Sequence, residues 1–194
     1  LRARDLVKQI LTFSRQGGFE LIPMSLQPIV KEALKFIRST ISKTITIQED
    51  ISTTCGSVQA DATQIHQIVM NLTTNAYHAM AETGGDLKVS LEEIQIDTLD
   101  IMDPDMEPGT YACLSVADTG IGMDKELLGK IFDPFFTTKE VGKGTGLGLF
   151  LSYTIVEEHY GHMSVQSPAF ILEDIGTQFT IRLPLHIDVT SGNT

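Results

Sequence analysis

The segment from Asp61 to Met80 constrains the fold more than any other part of the chain. Ile65, Ile68, Val69, Leu72, Ala76 and Ala79 recur at helical spacing and give a helix with one continuous apolar stripe. At about 100° per residue, Gln67, Asn71, Asn75 and His78 fall on a second stripe, well round from the first. Such a helix lies over a core with one face and over water or a ligand with the other. Asparagine is a mediocre helix former, so two of them at i and i+4 beside a buried face cost stability unless their amides bind something. Taken alone, the pair is better explained as a solvated polar face, and His78 as a surface residue.

The remaining elements read less strongly. Leu6, Ile10 and Phe13 mark a first helix that Gly17-Gly18 ends, so residues 1–17 read as an appendage to a domain over 18–187, with a tail at 188–194. The chain opens inside that helical pattern, as a piece of a longer protein would. Phe19 to Pro23 is expected to be a short strand. Ser25 is placed to cap a helix with Pro28 in its first turn and Ile29, Val30, Ala33, Leu34 and Ile37 toward a core. Strands are expected at Thr44 to Ile51, Leu87 to Ile96 and Tyr111 to Ala117, the last two joined by a Pro- and Asp-rich loop. A short helix near Lys125 to Lys130, a helix from Leu147 to His159, and a hairpin of Met163 to Ser167 with Phe179, Ile181 and Leu183 complete the chain. Without regular βαβ spacing, this order predicts one mixed sheet with helices on one face, a two-layer α/β sandwich.

Composition narrows the function. The 194 residues carry a formal net charge of −11, which disfavours nucleic acid and membrane surfaces, themselves polyanions. A phosphorylated ligand would need a divalent cation and a few local donors to offset that charge. Hydrophobic residues make up 42% of the chain, enough for a core, and no apolar run is long enough to span a bilayer. The two cysteines, Cys55 and Cys113, sit in no metal-binding or redox pattern and read as idle thiols of a reducing, cytoplasmic compartment.

Three segments beyond the long helix carry candidate chemistry. Asp118-Thr119-Gly120-Ile121-Gly122 follows an apolar strand; the glycines let the backbone turn and approach a ligand, and the carboxylate can accept from an exocyclic amine. A capped turn is the plain alternative. The same Asp-Thr-Gly triplet also marks aspartic proteases, which would require a homodimer to pair two carboxylates. Phe132-Asp133-Pro134-Phe135-Phe136-Thr137-Thr138-Lys139 has the aromatic content of a core but the neighbours of a movable flap. Gly142-Lys143-Gly144-Thr145-Gly146-Leu147-Gly148 runs into a helix and leaves backbone amides free at its N-terminus, where anions bind. It is not a Walker A loop, because Gly144 follows Lys143 and no Ser or Thr stands on the required spacing.

In this order the four segments closely resemble the nucleotide-binding boxes of sensor histidine kinases, within the gyrase, Hsp90, histidine kinase and MutL group of ATPases. QIVMNLTTNA at 67–76 resembles the N box, DTGIGM and GKGTGLGL the two glycine boxes, FDPFFTTK the F box, and Gly176-Thr177 with Phe179 the final glycine motif. The resemblance implies a Bergerat-type α/β sandwich that binds ATP and Mg²⁺. It implies Asn71 on the metal, Asn75 and His78 on the phosphates, and Asp118 on the adenine amine with Gly120 and Gly122 beside the base. Lys139 and Lys143 become γ-phosphate contacts, and Gly144, Thr145, Gly146, Leu147 and Gly148 present backbone donors. Phosphoryl transfer is mostly positioning and charge neutralisation, which suits Asn71, Asn75 and Lys139 as the catalytic set.

Departures from the family pattern sharpen the expectation. Gln67 stands where ATPase relatives carry an acid that activates water, and glutamine cannot act as a base, so hydrolysis should be weak. None of His66, His78, His159, His162 and His186 begins a His-Glu or His-Asp followed by Pro, the phosphoacceptor signature. The chain is therefore expected to bind ATP without labelling itself and to phosphorylate a histidine on a dimerisation domain of the same protein, whose last helical stretch residues 1–17 resemble. A response regulator receiver domain is the expected onward partner. The parent is expected to be a homodimer, and this chain alone a monomer.

Overall fold

The computed structural model describes residues 20–98, 106–139, 144–169 and 176–186. The first helix, Lys143 and the tail lie outside these residues. A five-stranded mixed sheet runs in the order β2 (Ile45–Ile51), β4 (Gly85–Ile96), β5 (Gly109–Asp118), β7 (Thr177–Pro184), β6 (His162–Gln166). Only β2 and β4 are parallel; the other three pairings are antiparallel.

Three helices cover one face. The long helix, α2 (Ala62–Ala79), lies over β4 and β5, α1 (Leu26–Thr40) packs on α2, and α4 (Gly148–Glu158) packs on α2 and β6. Strand alternation turns Leu87, Val89 and Leu91 of β4, Ala112, Leu114 and Val116 of β5, and Phe179, Ile181 and Leu183 of β7 into the same buried cluster as Ile65, Ile68, Val69, Leu72 and Ala76 of α2. The opposite face carries Lys88, Ser90, Glu92, Gln178, Thr180 and Arg182, so it faces water. The central strand still buries Ser115 there, because Gln178 reaches across and donates to its hydroxyl at 3.0 Å. The expected two-layer sandwich is the observed one, with helices on one face.

The structure departs from expectation at the start of the chain. Ser25 occupies the N-cap of α1 but makes no capping hydrogen bond. Pro28 sits where a capped N–H would be and has none to give; the side chain of the neighbouring Gln27 donates from Nε2 to the Cys55 carbonyl. The first strand, β1, spans Ile22–Met24 and pairs antiparallel with an unforeseen strand, β3 (Val58–Ala60). Three residues are all that β3 offers, which fixes the length of β1. By contrast Asp61 caps α2 as its side chain allows, accepting from the amides of Thr63 at 2.8 Å and Gln64 at 3.1 Å.

Candidate functional site

At Asn71 and Asn75 the polar stripe of α2 is engaged by other elements rather than left to water. Asn71 Nδ2 donates to the Gly148 carbonyl and to Ser152 Oγ, both at 3.1 Å, and Ser152 in turn donates to Gly148 O at 2.9 Å. This spends the amide hydrogens of Asn71 on the first turn of α4 and leaves its Oδ1 without a partner among the described residues. One turn further, Asn75 Oδ1 accepts from Lys139 Nζ at 3.3 Å. Lys139 thus returns from the phenylalanine-rich loop to the helix, and burial pushes its amine down from the usual lysine range. His78 is exposed and its ring lies tilted on Tyr77, with centroids 5.4 Å apart. Partial desolvation and the charge of Lys139 hold its imidazole below the ordinary value.

Asp118 ends β5 and is only 4% exposed. Its Oδ1 accepts from the Gly120 amide at 2.9 Å, and the Thr177 amide also donates to the carboxyl. Burial outweighs both bonds and raises the carboxyl to about 6. The strand then turns across the end of α2. A Cβ on Gly120 would sit 2.7 Å from both the Cβ and the carbonyl oxygen of Ala79, while the Ile121 amide donates to that carbonyl at 3.3 Å. Gly120 is therefore required by close approach to the helix. Gly122 lies at φ +67°, beside an open depression of about 540 Å³ that Met123, Leu127 and Pro168 help to line.

The second glycine segment meets the phenylalanine-rich loop. Gly146 has φ +67°, and any side chain on it would run into the backbone of Phe135, itself at φ +67° and 65% exposed. Phe132 faces inward against Tyr153, ring centroids 5.0 Å apart, so the loop is anchored by one aromatic and displays another. Thr145 Oγ1 accepts from the Leu147 amide at 3.4 Å. No side chain caps α4, unlike α2 and α3 (Lys125–Leu128), which Asp61 and Asp124 cap. As in α1, the first-turn amides therefore have no bond from the N-cap side chain, and amides so placed are able to receive an anion.

These residues fit a magnesium nucleotide. Asn71 offers a free amide oxygen, a hard ligand of the kind Mg²⁺ takes together with phosphate oxygens. Among the described residues no group of three His, Cys, Asp or Glu could hold a metal by itself, so a metal here would depend on the phosphates. Of the residues expected in the site, the structure brings Asn71 to Gly148 and Asn75 to Lys139, and sets Gly144 close against Thr137 and Lys139. It leaves His78 at the margin, and Lys143 lies outside the described residues. Ser152, which orients Asn71, is absent from the residues expected in the site; a serine one turn into the helix that opens on Gly148 is the signal that points to it.

The fold and this constellation define a nucleotide-binding α/β sandwich, and the comparisons specify which. Residues 60–187 match the family described as histidine kinase-, DNA gyrase B-, and HSP90-like ATPase, and the chain belongs to it. It is similar to sensor kinase CckA of Brucella abortus, 36% identical over 188 residues, which are 96% of this chain and 19% of that protein. The histidine-protein kinase AtoS of Escherichia coli is 31% identical over 182 residues, 93% of this chain and 27% of its own. The chain thus spans about a fifth to a quarter of these relatives. Among solved structures, the catalytic domain of histidine kinase ThkA superposes with a TM-score of 0.66 at 29% identity, over 85% of this chain and 95% of that one. ThkA in complex with the response regulator TrrA gives 0.68 at 26% identity, over 95% of this chain and 48% of that one. Within its family the chain is a histidine-kinase-type catalytic and ATP-binding domain. The family match removes the aspartic protease alternative.

Proposed function

We propose that this domain binds Mg²⁺-ATP and transfers its γ-phosphoryl group to a histidine on the dimerisation domain of the same protein, for onward passage to a receiver domain. The observation that carries the reading is Asn71, whose amide hydrogens are tied to Gly148 and Ser152 so that Oδ1 is presented for a metal. Asp118 reads the adenine amine, Asn75 and Lys139 hold the phosphates, and the residues from Gly144 to Gly148 supply backbone donors. Bound Mg²⁺ would neutralise charge on the transferring group, which the chain's own net charge of −11 makes necessary. Lys143 belongs to this set by its place in the glycine segment, and His78 only as a flanking contact. The relatives that are sensor kinases, and ThkA with its response regulator, support the partners named.

In this reading the parent protein is a homodimer, residues 1–17 end its dimerisation helix, and the catalytic domain works in the cytoplasm. Among the described residues no helix is long and apolar enough to cross a membrane. The test is to incubate this chain with radiolabelled ATP and Mg²⁺, with and without a histidine-bearing helical hairpin supplied as a second polypeptide. Acid-labile label should appear on the hairpin alone. Label on this chain, or none on the hairpin in excess, would overturn the proposal.

A further inference from the structure

His159 is 2% exposed and stands at the opposite end of α4 from Gly148. Its Nε2 lies 3.0 Å from the Asp61 backbone nitrogen, and its Nδ1 lies 2.7 Å from the Ile155 carbonyl oxygen. An amide N–H can only donate, so Nε2 must be the bare, accepting nitrogen and Nδ1 must carry the hydrogen. The ring is neutral and locked in one tautomer. Asp61 is the N-cap of α2, so the bond joins the first turn of α2 to the last turn of α4. Gln64 Nε2, donating to Glu158 Oε2 at 3.3 Å, lies beside it.

The same two helices meet again where Asn71, midway along α2, binds Gly148 and Ser152 in the first turns of α4. The helices therefore run antiparallel, fastened at the start and the middle of α2 and at the two ends of α4, with about 15 Å of α2 between the fastenings. A helix moves as a rigid rod, so a slide of α4 at His159 shifts Gly148 against Asn71 by the same amount. A misplacement of about 1 Å is enough to cost roughly a hundredfold at a reacting centre.

We propose that His159 is a positioning residue of the nucleotide site, a neutral imidazole pin that fixes the spacing of α2 and α4 and so sets Asn71 against the amides that open α4. The inference rests on the nucleotide reading above. It separates the two halves of the ligand, because Asp118 and Gly120 belong to β5 and its turn and do not depend on α4.

The test uses the wild type, three variants at position 159, and Asn71→Ala with and without His159→Met, each checked for folding by circular dichroism. Gln at 159 keeps an acceptor within reach of the Asp61 amide; Asn is too short to reach it, and Met fills the space with no acceptor. Calorimetry compares Mg²⁺-ADP with adenosine. His159→Asn and His159→Met should weaken Mg²⁺-ADP by about tenfold and adenosine by less than about twofold, and His159→Gln should stay within about threefold of wild type on both. In an Asn71→Ala background, His159→Met should add little, because the pin acts through that contact. Equal losses for both ligands, no loss for either, or additivity with Asn71→Ala would each overturn the proposal. If either loss variant fails to fold, the other carries the comparison. A wild type that binds adenosine but not Mg²⁺-ADP would instead remove the nucleotide reading, and the pin with it.

Discussion

Asp118→Asn is expected to stabilise the folded chain at neutral pH relative to its effect in acid. Folding carries the carboxyl from water to a position 4% exposed, and raises its proton affinity from the ordinary 3.8 to about 6. At about 1.36 kcal/mol per pH unit, the protonated form is favoured in the folded state by roughly 3 kcal/mol. Because the folded value is the higher one, that stabilisation is complete below about pH 3.8 and is lost as pH rises through about 6. Wild type at pH 7.5 therefore holds a buried charge whose cost the neutral amide of asparagine does not bear. Urea melts of both proteins from pH 4 to pH 7.5 measure this directly. Because the unfolded carboxyl is already partly ionised at pH 4, the difference in unfolding free energy should move by about 2.4 kcal/mol in favour of the variant across the range, or roughly 1.2 M in midpoint at a slope near 2 kcal/mol/M. Any constant offset from the new amide cancels, as do the other titrating groups. A difference that stays flat with pH would refute the argument. The same variant should lose the preference for ATP over GTP, which identifies the cost as one retained for ligand reading.

Three further outcomes are expected. Asn75→Ala should leave the thermal midpoint nearly unchanged and abolish phosphoryl transfer, since Asn75 is only half-buried and its amide oxygen holds Lys139 rather than the core. Gly176→Ala should cost at least about 2 kcal/mol in urea melts and weaken ATP binding, because Gly176 lies at φ +74° and a Cβ there collides with the Asp118 carbonyl. Amide exchange at 137–139 and 144–146 should slow on adding Mg²⁺-ATP; equal protection with and without nucleotide would rule out a gating role for these loops.

Much of this was legible before any coordinates. The apolar stripe of α2, the alternation in β4 and β7, and the glycine spacing after Asp118 each follow from local periodicity, and each landed within a few residues of its expected place. What escaped depends on contacts far apart in sequence. The strand β3 is three residues long and forms only because β1 lies beside it. The tie from Asn71 to Ser152 spans 81 positions, and that from His159 to Asp61 spans 98. No local pattern distinguishes a histidine that pins two helices from one that faces water. The Ser25 cap failed for a local reason, since Pro28 removed the amide that it would have served.

In the proposed reading the site divides into a part set by the sheet and a part set by loops, and the division follows the chemistry of the ligand. Asp118 is held by amides from Gly120 and Thr177 at the ends of adjacent strands, so its geometry exists before a base arrives. Phosphate recognition would rely instead on Lys139 and the residues from Gly144 onward; Lys139 reaches the helix through the 3.3 Å bond to Asn75. A phosphate oxygen carries the charge that an amide oxygen lacks, so it is the stronger partner for an ammonium group already partly desolvated. Binding a nucleotide would then exchange the Asn75 bond for a phosphate bond at Lys139 and free the Asn75 amide for the same ligand. In an acidic chain this exchange makes loop placement depend on the phosphates themselves. Adenosine alone should engage Asp118 and leave the Lys139 contact as it stands.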